Sequence, residues 1–252
     1  MFGSGRDPHA SADDRRYFGP TAATSRSLRE RLGIDLAQPL SPSTSPWPGN
    51  PWFAVEVTGE VETSGYYARN LSFPEHTGTH MDAPAHFAAK GDRIADIGVD
   101  KLVVPAAMID ISAACAENPD YVLTVADIER YEAANGQLAA GTGLLLYTGW
   151  DKHLGDPAVY INDLHFPGVG VDAANLLVER GIAGIGIDTL GIDPGCASTF
   201  PVHHITLPAG LWHLEGLVDV DKVPAKGGLL VIGVPKVDGA SGMPCRPLVL
   251  VQ

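Results

Sequence analysis

The segment His76-Thr-Gly-Thr-His80-Met-Asp82-Ala-Pro84-Ala-His86 sets three histidines and one aspartate within eleven residues. Neutral imidazole and carboxylate are the donors zinc takes, and they also suit manganese or iron. His76, His80 and Asp82 would leave one or more coordination positions open, which a catalytic metal needs. A divalent metal lowers the pKa of a bound water to about 7, so the chemistry indicated is hydrolysis. A single histidine is more often a hydrogen-bonded structural residue than a ligand. Three beside an aspartate, among loop-forming residues, have no simple packing explanation.

A second group lies in Phe200-Pro-Val-His203-His204-Ile-Thr-Leu-Pro-Ala-Gly-Leu-Trp-His213-Leu-Glu215. His203 and Glu215 could complete a shared or second metal site with the first cluster. Taken without that cluster, the same residues read as structure: Glu215 opening an exposed helical turn and His213 covering a surface. Because His204 follows His203 directly, either could face a metal. The aromatic residues Trp47, Trp52, Phe73, Phe87 and Trp150 are core or pocket candidates. Trp47 is the best of them for a pocket, since it stands in a loop no regular element needs; Trp47 and Phe73 are taken as the substrate-binding pair. Asp188 and Asp193 read as turn or supporting residues outside the site.

These residues must be held by a chain of 252 residues, long enough for a large core. Hydrophobic residues make up 45% and charged residues 19%, the balance of a globular protein. A net charge of −13 argues against nucleic acid as a partner, because phosphate recognition needs a basic surface. Cys115, Cys196 and Cys245 are widely spaced and form no CxxC pair, which suits a reducing compartment. Met1 to Asp14 is small, polar and charged, so no signal peptide is expected, and no apolar run approaches a membrane span. The expectation is a cytoplasmic protein acting on a small molecule.

Periodicity then places the elements. Ser25 to Leu32 could form a short helix within a polar arm, residues 1–33. Segment 39–51 carries five prolines and is expected as a long extended loop, since proline lacks a donor and fixes φ. Phe53 to Val57, continuing towards Val61, alternates at period two and predicts a strand; so do Leu102 to Ile111, Leu144 to Tyr147, Ile182 to Ile187 and Leu229 to Val234. Thr124 caps a helix that ends at Asn135-Gly136, and a second helix fits Asp172 to Arg180 before Gly181. Around the first cluster, Gly78 and Pro84 make a long helix improbable, so a turn or strand end is expected to converge the side chains. Strands and helices interleave without a strict doubly wound rhythm, giving an α/β fold with a mixed sheet.

The pattern His76-x-Gly78-Thr79-His80-x-Asp82-x-Pro84-x-His86 resembles the signature of the cyclase-like metal-dependent hydrolases, the superfamily of bacterial kynurenine formamidase and isatin hydrolase type, with some lactone hydrolases. Gly186-Ile-Asp188-Thr-Leu-Gly-Ile-Asp193, the His203 to Glu215 spacing and Ser241-Gly-Met-Pro-Cys-Arg246 also look like that family, so the likeness runs over most of the chain. It implies a swivelling β/β/α fold in a single domain over residues 34–252. It implies that His76, His80 and Asp82 hold a first metal, with Asp82 bridging to a second held by His203 and Glu215. His86 matches the position of the catalytic histidine, whose role would be a proton shuttle between water and the departing nitrogen. The implied cofactor is zinc or manganese, one or two ions per subunit, and the implied assembly a homodimer or larger homo-oligomer.

The expected reaction is cleavage of an amide C–N bond in an N-formyl arylamine or in a cyclic amide of the isatin type. Glu215, giving a fully acidic second-metal set, leans towards the formamidase type. A lactone hydrolase, or a cyclase or dehydratase, could use the same metal site. A non-catalytic metal-binding protein is the competing class, and His86 argues against it, since a storage site needs no spare base.

Overall fold

The computed structural model describes residues 33–251; the helix expected over Ser25 to Leu32 lies outside the described residues. In chain order the strands are β1 (Gly33–Asp35), β2 (Ala54–Gly59), β3 (Ala68–Ser72), β4 (His80–Asp82), β5 (Val103–Asp110), β6 (Val122–Leu123) and β7 (Gly143–Tyr147). They continue as β8 (Gly168–Val169), β9 (Gly184–Ile187), β10 (Trp212–Glu215), β11 (Lys226–Gly233), β12 (Gly242–Pro244) and β13 (Arg246–Leu250). Three helices matter for the site: α1 (Val125–Asn135), α2 (Val171–Glu179) and α3 (Pro201–Thr206).

Nine strands form one mixed sheet in the order β1-β13-β11-β5-β7-β9-β10-β4-β12. β5, β7, β9 and β10 run parallel in its middle. Parallel neighbours need crossover connections, and α1, α2 and α3 lie in the three that join them. The flanking strands pair antiparallel. This is the mixed-sheet α/β arrangement that the interleaved pattern predicts, in the single domain that the family resemblance implies.

The short apolar strands are buried on both faces. Leu144 and Leu146 pack with Ile128 of α1 and Leu177 of α2, whereas Leu145 between them packs with Trp212, Leu214, Met81 and Leu230. Alternation at period two sends neighbouring side chains to opposite faces, so both faces must be covered, which explains why β7 and β9 read as unbroken apolar runs.

Local chemistry sets the helix ends. Thr124 Oγ1 accepts from Asp127 N, Asp127 Oδ2 accepts from Thr124 N, and Gly136 ends α1 at φ 86°. The proline-rich segment 39–51 holds no helix or strand. Among the boundaries that depart from the periodic reading, two stand out. The strand expected to run towards Val61 stops at Gly59, where the Tyr66 ring leaves no room for a side chain, and Val61–Ser64 turns into a short helix. Leu102 closes the short helix Val99–Leu102 instead of opening β5. Among the described residues no helix is long and apolar enough to cross a membrane.

Candidate metal centre

β4 and β10 lie side by side, antiparallel, with His213 opposite Asp82, Leu214 opposite Met81 and Glu215 opposite His80. Met81 and Leu214 are fully buried in the apolar core. Because alternate side chains face opposite ways, the residues on either side of them, His80, Asp82, His213 and Glu215, share the other face. The expected strand end is therefore β4. Glu215 stands on a buried strand, not on an exposed helical turn, and His213 is 0% exposed and covers no surface, because β10 is covered on both faces.

Four imidazoles surround Asp82, and each is tied back by its far nitrogen. His80 Nδ1 donates to Gly78 O at 2.9 Å, a carbonyl aimed by the φ of 61° that Gly78 adopts. His203 Nδ1 lies 2.6 Å from Asp193 Oδ2. His213 Nε2 lies 2.7 Å from Thr206 Oγ1. His76, half-buried in the loop before β4, has Nε2 3.3 Å from Ser241 Oγ and Nδ1 2.7 Å from Asp82 Oδ1. The Ser241 hydroxyl donates in turn to Glu75 at 2.7 Å. Outer partners of this kind fix ring orientation and leave the inner nitrogen free as a donor to a metal.

The inner atoms are close and unsatisfied. His80 Nε2 is 3.3 Å from Asp82 Oδ1 and 3.4 Å from Glu215 Oε2; His203 Nε2 is 3.4 Å from Asp82 Oδ2 and 3.5 Å from Glu215 Oε1. His80 Nε2, Asp82 Oδ2 and His213 Nδ1 are buried without a hydrogen-bond partner. Buried orphan polar atoms are costly, and several converging on one point are what a bound cation would satisfy. Two donor groups have atoms within 4.8 Å of one another: His76, His80 and Asp82; and Asp82, His203, His213 and Glu215. The residues fit a divalent metal.

Electrostatics agree. Burial disfavours protonation of His80 and His203, yet the carboxylates facing them outweigh it and raise their pKa values to about 9 and about 10. Burial, reinforced by the charge of Asp82, pushes Glu215 up to about 7. Burial works against ionised Asp82 too, but the imidazoles packed around it hold it well below the usual carboxylate range. The cluster attracts positive charge, which protons supply when a metal does not.

Beside these donors opens a cavity of about 270 Å³, lined by the polar groups of His76, His80, His86, His203 and Glu215 and by the apolar Trp47, Phe87, Leu190, Pro194 and Phe200. His86 is exposed to it, with its ring stacked on His76 at 3.9 Å between centroids. Burial of that stacked face lowers its pKa below the ordinary imidazole value, so the ring is neutral at neutral pH. Trp47 contacts Phe200, with centroids 5.6 Å apart. Phe73 stacks on Phe53 at 5.5 Å and is not among the lining residues. Trp52 is 49% exposed, and Trp150 is buried against Tyr160 and Phe166. His204 is exposed, with its ring against Phe87; the side chain turned to the carboxylates is that of His203.

Three residues of this site escape a reading of spacing. His213 is one, although the alternation Trp212-His213-Leu214-Glu215 contains the signal: read as a strand, it puts His213 and Glu215 on one face. Asp193 is the second; it lines the cavity, and its carboxylate also accepts from Val202 N at 2.7 Å, so it caps α3 while it orients His203. Phe200 is the third, turned towards Trp47 from a backbone φ of 50° just before Pro201.

A mixed α/β sheet that converges imidazoles and carboxylates beneath an aromatic cavity defines a metal-dependent hydrolase. Comparison with known proteins places it further. The family described as putative cyclase matches residues 34–194. The isatin hydrolase of Roseibium aggregatum is 34% identical over 86% of this chain and 91% of its own. The kynurenine formamidase of Bacillus cereus is 33% identical over 86% of this chain and 96% of its own. The structure of isatin hydrolase A from Ralstonia solanacearum superposes with a TM-score of 0.85 at 32% identity, covering 94% of this chain and 99% of that one. An isatin hydrolase bound to the product analogue thioisatinate superposes at 0.86 with 29% identity, covering 92% of this chain and 99% of that one. The chain belongs to the cyclase family, and it is a metal-dependent amidohydrolase, as the His76–His86 signature implies.

Proposed function

We propose that this cavity hydrolyses the amide C–N bond of an N-formyl arylamine or of an aryl-fused cyclic amide. The observation that carries the reading is that His86 and three aromatic rings, Trp47, Phe87 and Phe200, line one cavity with His76 and His80, which with Asp82 beneath them form a three-donor group. A divalent cation held there supplies Lewis acidity to a water and to the scissile carbonyl. His76, His80 and Asp82 would hold one ion; Asp82, His203 and Glu215 would hold a second, with zinc or manganese as the metals that suit these donors.

The chain's own residues account for the rest. His86, neutral and facing the cavity, takes a proton from the attacking water at an imidazole nitrogen and returns it to the departing nitrogen. The three aromatic rings exclude water and offer flat apolar faces to an aryl ring. Phe73 is left out of this wall because it stacks on Phe53. Elemental analysis of the purified protein, paired with turnover of N-formylkynurenine, isatin and a simple lactone, tests the reading. Metal with turnover of either amide supports it; metal with no amide turnover overturns it.

We further propose a homodimer in a reducing, cytoplasmic setting. The β2–β3 hairpin and the turn joining its strands expose Val57, Val61, Tyr66, Tyr67 and Leu71, more apolar surface than an isolated hairpin keeps in water, and all three cysteines are free thiols. Sedimentation of the wild type and of Tyr66→Glu/Leu71→Glu distinguishes a dimer built on that hairpin from a monomer.

A further inference from the structure

One buried histidine on the site's floor has no role in the reaction just described. We propose that His213, through Nδ1, is the fourth ligand of the ion held by Asp82, His203 and Glu215. That second site is then closed by protein donors and tight, which leaves the open His76, His80 and Asp82 group to do the chemistry. The inference rests on the metal reading above.

The argument begins at Thr206. Its Oγ1 lies 2.7 Å from Val202 O and 2.7 Å from His213 Nε2, and a hydroxyl has one proton to give. His213 Nδ1 is fully buried and has no hydrogen-bond partner; the carboxylate oxygen facing it, Asp82 Oδ2, is 3.5 Å away. A proton on Nδ1 would therefore have no acceptor in hydrogen-bonding geometry. The consistent arrangement puts the proton on Nε2, donated to Thr206, while Thr206 donates to the Val202 carbonyl. That leaves the Nδ1 lone pair facing Asp82 Oδ2, itself buried and unpartnered. Two acceptors held face to face in a dry interior repel one another, and a cation between them turns that repulsion into two bonds.

Ligand count separates the two sites. Structural zinc sites are typically closed by four protein donors, whereas catalytic ones keep a position for water or substrate. Asp82, His203, His213 and Glu215 are four donors, all buried, although His203 and Glu215 also line the cavity; His76, His80 and Asp82 are three, and the His76 side chain is 22% exposed. Thr206 is on this account a positioning residue that acts through His213.

The test is metal binding, read without activity. The wild type, stripped of metal and titrated with Zn²⁺ against a chromophoric chelator, is expected to show a tighter and a weaker site. Thr206→Val, which leaves His213 in place, should weaken the tighter site by about 10- to 100-fold, as loss of an outer partner does, and Thr206→Ser should restore it. His213→Ala should weaken the same site further, and the visible absorption of the Co²⁺-loaded protein should change with the lost donor. A tighter site unchanged in both His213→Ala and Thr206→Val would overturn the inference, as would loss confined to the weaker site. A wild type that binds no metal would instead overturn the metal reading itself.

Discussion

His80 Nε2 lies 3.4 Å from Glu215 Oε2 across the ladder of β4 and β10, two short strands remote in sequence that meet in one register. That contact ties the two histidine groups of the chain into a single centre, and it makes the protonation of the centre depend on whether a metal is present.

With no metal, His80 and His203 carry protons up to about pH 9 and about pH 10, because the carboxylates beside them outweigh the cost of burial. A metal entering near pH 7.5 must displace them, so uptake should release protons and affinity should rise with pH. Calorimetry in buffers of different ionisation enthalpy measures the release, and heats independent of the buffer would contradict it. The sign for stability follows. Both folded-state values lie above 6.5, so the stabilisation they give the metal-free protein is complete below that pH and is lost as pH rises through 9 to 10. The melting temperature of the metal-free protein should therefore fall across that window, while the loaded protein, in which a bound metal would hold these histidines neutral, should not follow it.

His86→Ala should retain the metal content of the wild type and lose about 10²- to 10⁴-fold in kcat, the usual worth of a positioned acid–base group. Asp82→Ala should lose metal as well as turnover, since both donor groups share that carboxylate. Elemental analysis beside steady-state kinetics separates the two. If His86→Ala also strips the metal, His86 is a ligand and the shuttle assignment fails.

Asp193→Asn keeps the shape of the side chain that orients His203 and caps α3, but removes the charge behind the 2.6 Å contact. Metal affinity should fall by about 10- to 100-fold with little change in the far-UV spectrum. Equal metal affinity in the two proteins would show that the charge of Asp193 does not reach the centre.

Gly242 faces Asp82 across the β12–β4 ladder, and a methyl there would run into the His76 imidazole at Cε1. Gly242→Ala should push His76 aside and weaken the three-donor site, with an overpacking cost of about 1–3 kcal/mol. Gly155→Ala, where nothing lies within 4 Å of the added methyl, serves as the control. Metal titration and thermal melting of both variants check the expectation, and matching metal affinities would refute it.

What could be read from the chain alone is whatever short-range chemistry decides. The imidazoles and the carboxylate between His76 and His86 point to metal chemistry by type and spacing. The α1 capping box is complete within Thr124 to Asp127, and the apolar runs of β7 and β9 show that both faces of those strands must be buried. The alternation of Trp212 to Glu215 was also present, yet four residues cannot say whether they form a strand, because alternation gains meaning only once one face has a core to join. Tertiary structure made that choice. It buried Met81 and Leu214 together, and the antiparallel register then set His80 beside Glu215 and Asp82 beside His213. Asp193 behind His203 and Phe200 beside Trp47 were settled the same way, by packing between segments far apart in sequence.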